Sequence, residues 1–469
     1  MEENNIFLNE TTTEPALPDT DWVLEELAAK HFAALRRVLT ELPAADIGEL
    51  FWEIPEEKEP ILFRILPKEL AAEVFVEMDT DAQARLLSSF SDRELGEILA
   101  ELYMDDTVDI IEEMPANVVS RMLRSVSPER RRQINELLKY PESSAGSLMT
   151  TEFVRLMASM TVEEAFAVLR RVALDRETVY TCYVTDEKRH LLGVVTVKTL
   201  LLHEGGTLLS DIMEESVIAV HTLTDREEVA QLFGKYDFLA LPVVDAERRL
   251  VGIITVDDAL DVLQEEAEED FAMMAAVTPT EEPYLRSGVF SIFLSRIPWL
   301  LLLMLTATFT GMIISRFEAA LAACVALTAF IPMIMGTGGN SGSQSSTTII
   351  RGLSLGEITF RDTLAVLFKE LRVSLLCGAC LAVATYLKVM LFDAYLLGNP
   401  TVTPMVALVV SLTLLVTVVA AKLVGCLLPI FAKRIRLDPA VMASPFITTL
   451  VDTVSLLVYF AIASSMLSL

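Results

Sequence analysis

The sequence predicts a multi-domain membrane protein with an α-helical superhelix, an α+β pair of internal repeats and an all-α domain of five transmembrane helices. Two observations support this fold class. The 469 residues are too many for one ordinary core. The charge is also uneven, because residues 286–469 hold 12 Lys and Arg against 7 Asp and Glu, whereas residues 1–285 hold 25 against 59. The acidic half should attract cations and repel nucleic acid.

Residues 21–140 show short amphipathic patterns, after a stretch over 1–20 that we predict to be disordered. Apolar residues recur at spacings of three and four in "KELAAEVFVEM", "DAQARLLSSF" and "DRELGEILAEL". The breaks between these patterns carry residues that start or stop helices, namely Pro67, Asp79, Thr80, Ser91, Asp92, Pro115, Ser127 and Pro128. Similar units in close succession predict a helical superhelix, which presents a surface.

An internal repeat occupies residues 141–265. The segment "VTDEKRHLLGVVTVKTLL" at 184–201 aligns without gaps to "VVDAERRLVGIITVDDAL" at 243–260. Each copy has an extended apolar run, a turn at Asp, a β-rich run and a helix. The repeat resembles a tandem pair of CBS (cystathionine-β-synthase) domains, with boundaries at 141–207 and 208–265.

This resemblance implies an α+β module that often binds adenine nucleotides such as ATP and regulates an attached domain. In that pattern the side chains of Thr255 and Asp258 face the nucleotide. The first repeat departs from the pattern, because "VKT" replaces "VDD" after Thr196. Phe238 lies where an aromatic ring could stack on a base in the second repeat, and the alternative is an ordinary core residue. ATP is therefore a candidate ligand of the CBS pair.

The segment "VDDALDVLQEEAEED" begins a strongly acidic helix, predicted over 256–285, that connects the repeats to the apolar half. Four of its carboxylates are spaced by four residues and share one helical face: Asp257, Asp261, Glu265 and Glu269. Like charges at this spacing destabilise a helix by about 0.2–0.5 kcal/mol per pair. A bound cation would relieve this repulsion, and the alternative is a solvated acidic face.

Five apolar segments follow, each close to the ~20 residues that cross a bilayer. They lie at 289–314, 319–341, 373–392, 405–431 and 445–468. Lys and Arg concentrate in the loops after the second and the fourth segment, which marks these loops and the acidic half as cytoplasmic. We therefore predict a multi-pass protein of the cell (inner or plasma) membrane, with a cytoplasmic N-terminus and an extracytoplasmic C-terminus.

Two polar features lie inside the apolar half. The run "IPMIMGTGGNSGSQSSTTIIRGL", which includes Asn340, has glycines that either let backbones approach closely or expose carbonyl oxygens. Asp452 is the only charge of the fifth segment, one turn after Thr448. A carboxylate there costs on the order of 3 kcal/mol, so by default it marks a cation site. The alternative is a structural Asp paired with Lys388 or Lys422.

The motifs "PMIMGTGGNSGSQSSTTIIRGL" and "RLDPAVMASPFITTLVDTVSLLVYF", together with the CBS pair and the acidic helical domain before it, resemble the MgtE family of magnesium channels. The resemblance implies a homodimer with a pore on its two-fold axis. It also implies cytoplasmic domains that bind Mg²⁺ and hold the pore shut when internal Mg²⁺ is high. Asp452 matches the pore aspartate, and Asp438 matches an acidic position at the cytoplasmic pore mouth. Ser455 departs from the pattern, since glycine is common there, and Ser444 matches a variable position.

We therefore predict candidate metal ligands of two kinds. Those of the pore are Asp452, Thr448, Ser444 and Asn340. Those of the pore mouth and the sensor are Asp438, Asp105, Asp106, Asp109, Asp237, Asp257, Asp258, Asp261, Glu265, Glu266 and Glu269. In the predicted mechanism, Mg²⁺ bridges carboxylates of the N-terminal domain and of the CBS pair and thereby stabilises a closed state.

The predicted function is a Mg²⁺-selective channel or transporter for magnesium uptake that intracellular Mg²⁺ closes. One alternative is a transporter of another divalent cation such as Co²⁺, Mn²⁺ or Ni²⁺, and a second is a membrane-bound Mg²⁺ sensor without flux. An enzyme is not expected, because the sequence has no Walker-type phosphate loop and its four His show no ligand spacing. The expected partners are a second copy of the chain, the lipid bilayer and divalent cations, with no nucleic acid.

Overall fold

The computed structural model describes residues 18–280, 284–285, 287–435, 437–442 and 444–467. The chain divides into two compact units, Met1–Leu263 and Gln264–Leu469. The disorder predicted for residues 1–20 falls almost wholly on residues 1–17, which lie outside the described residues.

Within the described residues, ten short helices form the N-terminal part of the first unit. They are α1 (Thr20–Ala29), α2 (Phe32–Leu39), α3 (Ala44–Phe51), α4 (Glu59–Phe63), α5 (Lys68–Val76), α6 (Thr80–Ser89), α7 (Asp92–Glu101), α8 (Met104–Glu113), α9 (Ala116–Ser125) and α10 (Pro128–Leu137). Five helices begin at predicted breaks, with N-caps Pro67, Asp79, Ser91, Pro115 and Ser127. Asp79 and Ser91 accept hydrogen bonds from backbone N–H groups of the helices they begin. The predicted helical superhelix is confirmed.

Two three-stranded sheets with the same topology follow. The strands are β1 (Arg155–Met157), β2 (Thr181–Thr185), β3 (Leu191–Thr196), β4 (Val220–His221), β5 (Ala240–Val244) and β6 (Leu250–Thr255), and the helices around them are α11 (Val162–Val172), α12 (Val197–Leu202), α13 (Leu209–Ile212) and α14 (Arg226–Tyr236). In each sheet the first pair of strands is parallel and the second pair is antiparallel. Val184 pairs with Gly193 in one sheet, and Val243 pairs with Gly252 in the other. The sheets therefore repeat the register of the sequence alignment.

The acidic helix α15 (Val256–Met274) follows directly on β6. It ends at Met274, so the connecting helix predicted to reach residue 285 is shorter than expected. The reason lies in the backbone just after it. Ala276 has a φ of 53°, which interrupts a right-handed helix, and the N–H of Thr278 donates to the carbonyl of Ser295 at 2.9 Å.

The second unit is helical within its described residues. Its helices are α16 (Val289–Arg316), α17 (Glu318–Ala323), α18 (Ile331–Ser354), α19 (Thr363–Lys388), α20 (Pro404–Arg434) and α21 (Ser444–Leu467), and a π-helix (Val389–Leu396) extends α19. In this part of the chain, four stretches are long and apolar enough to cross a bilayer: Val289–Arg316, Phe360–Leu396, Pro404–Arg434 and Pro439–Leu467. With α18, they give the five long helical segments expected from the sequence.

The second predicted segment, 319–341, is wrong in its extent. Instead of one helix there, the chain forms the short α17, a 3₁₀-helix (Val325–Phe330) and only then α18. Cys324 has a non-helical backbone with ψ of 82°, and Pro332 lies in the first turn of α18, where its missing N–H has no helical partner to lose. The polar run therefore lies inside α18, which packs against α20 and α21.

Candidate functional site

Glycines of α18 and α20 lie where α18 packs against its neighbours. A Cβ atom at Gly425 of α20 would lie 2.2 Å from the carbonyl oxygen of Gly342, and a Cβ atom at Gly338 would lie 2.7 Å from the hydroxyl oxygen of Ser455. Both distances are too short for a side chain to fit. Two roles were predicted for these glycines, close packing of backbones and exposure of carbonyl oxygens. The structure shows the close packing, and α18 stays helical over the whole run.

One stripe of α18 is exposed in the single chain, although the helix packs among membrane-spanning helices. After Pro332 in the first turn, its members are polar or lack a side chain: Gly336, Asn340, Gln344, Thr347, Thr348 and Arg351. Hydrocarbon cannot hydrogen-bond amides, hydroxyls or a guanidinium. This polar stripe is therefore suited to face water or protein, and not lipid.

Asp452 lies half-buried on α21. It follows the first residue of the helix by eight positions, which corresponds to about 12 Å along the axis. The hydroxyl of Thr448, one turn earlier, donates to the carbonyl oxygen of Pro445 at 2.9 Å, so lone pairs of the hydroxyl oxygen remain for a cation. A Cβ atom at Gly339 would lie 3.1 Å from the Thr448 side chain. Asn340 therefore follows directly on the point where α18 touches the helix that carries Asp452.

The two lysines that could have paired with Asp452 have other partners. Lys388 Nζ lies 2.7 Å from Asp393 Oδ2, and Lys422 Nζ donates to Ser345 Oγ at 3.3 Å. In the structure Asp452 is therefore not a structural carboxylate paired with one of these lysines, which was the alternative interpretation. A carboxylate inside the membrane domain that lacks these cations remains a candidate ligand for a passing one.

The predicted pore-mouth residue, Asp438, is exposed just before α21, and its Oδ1 accepts a hydrogen bond of 2.7 Å from the Ala440 N–H. A second carboxylate, Asp270 of α15, accepts a hydrogen bond of 2.9 Å from the Ser354 hydroxyl at the end of α18. Burial and then the negative charge of Asp438 raise the pKa of Asp270. The two acids are thus close enough to repel each other. Ser444 begins α21, and its side chain lies outside the described residues.

Five carboxyl groups of the first unit form a second acidic group, which we call the buried acid cluster: Asp105, Asp106, Asp109, Glu177 and Asp258. Asp105 is buried, Asp106, Glu177 and Asp258 are half-buried, and Asp109 lies at the exposed edge of the cluster. Burial is the largest cause of a raised pKa in each, and the charges of neighbouring carboxylates add to it. The pKa reaches about 6 in Asp106 and about 8 in Asp109 and Glu177. The structure therefore brings three predicted residues of α8 together with a predicted residue of α15.

The buried acid cluster has a nearby cation in Arg130. Its guanidinium donates to Thr107 Oγ1 at 3.3 Å and to the Leu102 carbonyl, and burial lowers its pKa. Within the described residues, no three His, Cys, Asp or Glu side chains stand close enough together to hold one metal ion. The cluster is thus a site that an added cation would stabilise, and it is not a preformed ligand cage.

The remaining predicted sensor residues lie outside this cluster or at its edge. The four carboxylates of the predicted stripe on α15 are all exposed in the single chain: Asp257, Asp261, Glu265 and Glu269. Burial and then the charge of Asp261 raise the pKa of Glu77, the residue that follows α5. The charge of Glu266 helps to raise the pKa of Asp270. Asp237 ends α14 as an exposed residue with a φ of 54°. The structure therefore does not bring Asp237 into the cluster.

The predicted nucleotide-contacting residues cap a helix. Thr255 Oγ1 donates to Asp258 Oδ2 at 2.5 Å, and the Thr255 N–H donates to the same oxygen at 3.3 Å. Thr255 therefore acts as the N-cap of α15, and Asp258, the third residue of that helix, bonds back to it as in a capping box. Phe238 stacks on Tyr236, with ring centroids 5.4 Å apart, and also packs against the core. Both interpretations of Phe238, stacking side chain and core residue, agree with this position.

Residues that the sequence did not reveal also take part. Glu177 lies in the loop before β2 and joins the buried acid cluster, and Asp270 lies on a different face of α15 from the predicted stripe. A lone Glu in a loop has no periodicity that could have revealed it. Asp270 belongs to the acidic run "EEAEED", but only the position of α18 shows which carboxylate of this run has a neighbour there.

A helical superhelix, a pair of CBS domains and a helical membrane domain with a carboxylate inside it define a CBS-containing multi-span membrane protein. Family models match as follows: MgtE intracellular N domain at residues 42–143, CBS domain at 145–205 and 209–265, and MgtE, described as divalent cation transporter, at 331–462. The chain is 41% identical over 94% of its length to the magnesium transporter MgtE of Thermus thermophilus, of which it covers 97%. It is 33% identical to that of Bacillus subtilis, with 92% and 93% covered. The chain therefore belongs to the MgtE family.

Two solved structures are similar to the soluble half. One is described as the cytosolic domain of the Mg²⁺ channel MgtE in complex with ATP, with a TM-score of 0.50 and 41% identity over 52% of this chain and 100% of that chain. The other is described as the soluble part of a magnesium transporter, with a TM-score of 0.50 and 35% identity over 53% of this chain and 98% of that chain. Both relatives thus exist as folded soluble fragments.

Proposed function

We propose that this protein is a Mg²⁺-selective channel or transporter that mediates magnesium uptake. The observation that carries the proposal is the position of Asp452 and Thr448 on α21, beside the polar stripe of α18 within a membrane domain. Carboxylate, hydroxyl and amide oxygens are hard ligands that suit Mg²⁺, which keeps several of its waters when it binds. The names of the relatives, magnesium transporter in two cases, agree with this chemistry.

The pathway lies between two copies of the chain. One carboxylate for each chain is a weak site for a divalent ion, and a two-fold axis brings two of them together. The polar stripe of α18 then faces its own copy across water instead of facing lipid. The acidic unit, the last turn of α20 with Lys433 and the loop that holds Arg361 lie in the cytoplasm. This puts the C-terminus on the outside of the cell membrane.

Intracellular Mg²⁺ closes the pathway by binding the carboxylates of the cytosolic unit. The buried acid cluster carries raised pKa values because its charges lack sufficient compensation. A divalent cation among them relieves both the burial penalty and the repulsion, so it stabilises the compact arrangement of α8 and α15 over an opened one. Adenine nucleotides bind the CBS pair at Thr255 and Phe238, as the ATP complex of a relative suggests.

The test is current through purified protein in a lipid patch, with Mg²⁺ as the permeant cation and cytosolic-side Mg²⁺ stepped from near zero to millimolar. We expect openings that vanish as cytosolic Mg²⁺ rises, and no current from Asp452→Asn at low Mg²⁺. Glu318→Gln is the matched control, because it removes one negative charge from the exposed helix α17. Full current from Asp452→Asn would contradict the proposed site, and no current from folded wild-type dimer would support a sensor without flux.

The sensor is tested in the same patches with Asp109→Asn. This change removes one carboxyl group that could ionise and bind Mg²⁺ in the buried acid cluster, so cytosolic Mg²⁺ should close the channel only at a concentration several-fold higher. Asp237→Asn is the matched control, because Asp237 is exposed outside the cluster. Equal sensitivity in both variants would refute the assignment of the sensor to the cluster. Replacing Mg²⁺ by Mn²⁺, Co²⁺ or Ni²⁺ as the permeant ion tests the alternative cargo directly.

A further inference from the structure

A buried lysine lies inside the membrane domain behind the polar stripe. Lys422 of α20 is 6% exposed, and Ser345 of α18 is 2% exposed. Lys422 Nζ donates to Ser345 Oγ at 3.3 Å, and Ser345 Oγ donates to Glu370 Oε2 of α19 at 2.7 Å. The serine hydroxyl has one hydrogen, which it donates in the hydrogen bond to the carboxylate. Its oxygen lone pairs therefore accept the hydrogen bond from the ammonium. The three side chains therefore form a directed relay from cation to anion across three helices.

The relay lies next to the elements of the proposed pathway. Ser345 follows Gln344 of the exposed polar stripe. Ala421, which precedes Lys422, packs in one apolar cluster with Ile447 and Val451 of α21, and Val451 directly precedes Asp452. The positive charge of Lys422 is thus held in the same packed layer that positions the carboxylate for the permeating ion.

Two opposite charges act on the pathway from this layer. An ammonium in a low-dielectric interior repels a cation much more strongly than the same group in water. A carboxylate hydrogen-bonded to it through one hydroxyl cancels most of this field at a distance. Neither group is needed to satisfy the backbone of α18, which is a continuous helix, so the relay is not explained by secondary structure alone.

We propose that Glu370, acting through Ser345, neutralises Lys422 and thereby keeps its positive charge from weakening the binding of divalent cations in the pathway. Glu370 and Ser345 are positioning residues in this view, and neither touches the ion. The inference rests on the proposed function, because it concerns the pathway next to Asp452. It assigns a role in divalent selectivity to residues of α18, α19 and α20 that lie behind the pathway.

The valence of the permeating ion distinguishes this role from simple bracing of the helices. The interaction energy of two charges is proportional to their product, so an exposed lysine charge acts twice as strongly on Mg²⁺ as on Na⁺. If one added positive charge weakens Mg²⁺ binding on the order of tenfold, it weakens Na⁺ binding by about the square root, or threefold. Loosened packing would instead change both ions without regard to valence.

The experiment uses the full chain in lipid patches, with near-zero cytosolic Mg²⁺. The concentration of external Mg²⁺ at half-maximal current is measured first, and the Na⁺ current without divalent ions second. Glu370→Gln should raise the half-maximal Mg²⁺ concentration on the order of tenfold. It should raise the Na⁺ concentration at half-maximal Na⁺ current about threefold. Lys422→Met should change both in the opposite direction, because it leaves the negative charge alone. The double variant Glu370→Gln/Lys422→Met should return to within about threefold of wild type.

Opposite signs in the two single variants cannot come from a loss of structure, which would impair both. Glu370→Asp keeps the charge and serves as the conservative variant, so it should stay close to wild type even if Glu370→Gln folds poorly. Equal changes for Mg²⁺ and Na⁺, or a double variant no better than the singles, would overturn the inference. If Asp452→Asn abolishes the current while Glu370→Gln and Lys422→Met leave Mg²⁺ dependence unchanged, the proposed function stands and this inference falls.

Discussion

A carboxyl group that is buried among other carboxyl groups holds its proton to a higher pH, and this links the folding of the soluble unit to pH. In the unfolded chain Asp106, Asp109 and Glu177 lose their protons near pH 4. In the folded chain the pKa of Asp106 is about 6, and those of Asp109 and Glu177 are about 8. Between these limits the folded state binds more protons than the unfolded state, so stability falls as pH rises.

We expect a soluble fragment of residues 18–275 without Mg²⁺ to melt several degrees lower at pH 8 than at pH 5, since the raised pKa values of the cluster act in the same direction. Millimolar Mg²⁺ should restore much of this difference, because it binds the folded state. Thermal unfolding followed by circular dichroism measures both effects. Asp109→Asn should flatten the pH dependence, whereas Asp237→Asn should not, because Asp237 lies outside the cluster. A melting temperature that rises from pH 5 to pH 8 would refute this account of the cluster.

At the scale of single residues, the sequence could reveal carboxylates that stand out locally. Asp452 is a lone charge in an apolar segment, and Asp105 with Asp109 shows helical spacing. It could not reveal Glu177, Ser345 or the partner of Lys422, because their neighbours lie far away along the chain. Such pairs depend on how helices and loops pack, and a spacing rule within one element cannot report them.

At the scale of elements, the contact of α18 with α20 depends on two glycine backbones that meet directly. Gly425→Ala would place a methyl group 2.2 Å from the Gly342 carbonyl oxygen, and backbone cannot move aside as a flexible side chain can. We expect the helices to separate, with a loss of stability of about 1–3 kcal/mol or more and a strong loss of Mg²⁺ current. Unfolding in detergent and the patch recordings measure the two effects.

Gly311→Ala in α16 is the matched control, since its added methyl group would meet no other helix of the described chain within 4 Å. It should leave both stability and current close to wild type. Normal current from Gly425→Ala would mean that the close approach of α18 and α20 does not position the pathway.

The boundaries of the elements show why periodicity is a partial guide in a membrane protein. Hydropathy located α16, α20 and α21 closely, because these helices are apolar over most of their length. It misplaced the second segment, since α18 exchanges apolar residues for glycines that pack against other helices and for amides that are exposed in the single chain. The end of α15 depended on the backbone at Ala276, which no acidic periodicity could predict.

At the scale of the whole molecule, the order of domains followed from composition and the internal repeat. Assembly of two chains depends instead on which surface of the membrane domain is exposed. The polar stripe of α18 is exposed in one chain, and only a second chain or water can cover it within a bilayer. A two-fold axis places each residue near the axis close to its own copy. A cysteine at Asn340 should therefore meet the same cysteine of the partner.

We expect Asn340→Cys, oxidised in membranes, to give a covalent dimer on a non-reducing gel, well above the background from the five native cysteines. Leu376→Cys is the matched control, because Leu376 is 74% exposed in the single chain but lies on apolar α19, where lipid is a suitable neighbour. It should remain monomeric on the gel. Oxidation should also block the Mg²⁺ current of Asn340→Cys, and reduction should restore it, because the disulfide lies in the pathway. Equal cross-linking at both positions would show that the polar stripe does not lie at the two-fold axis.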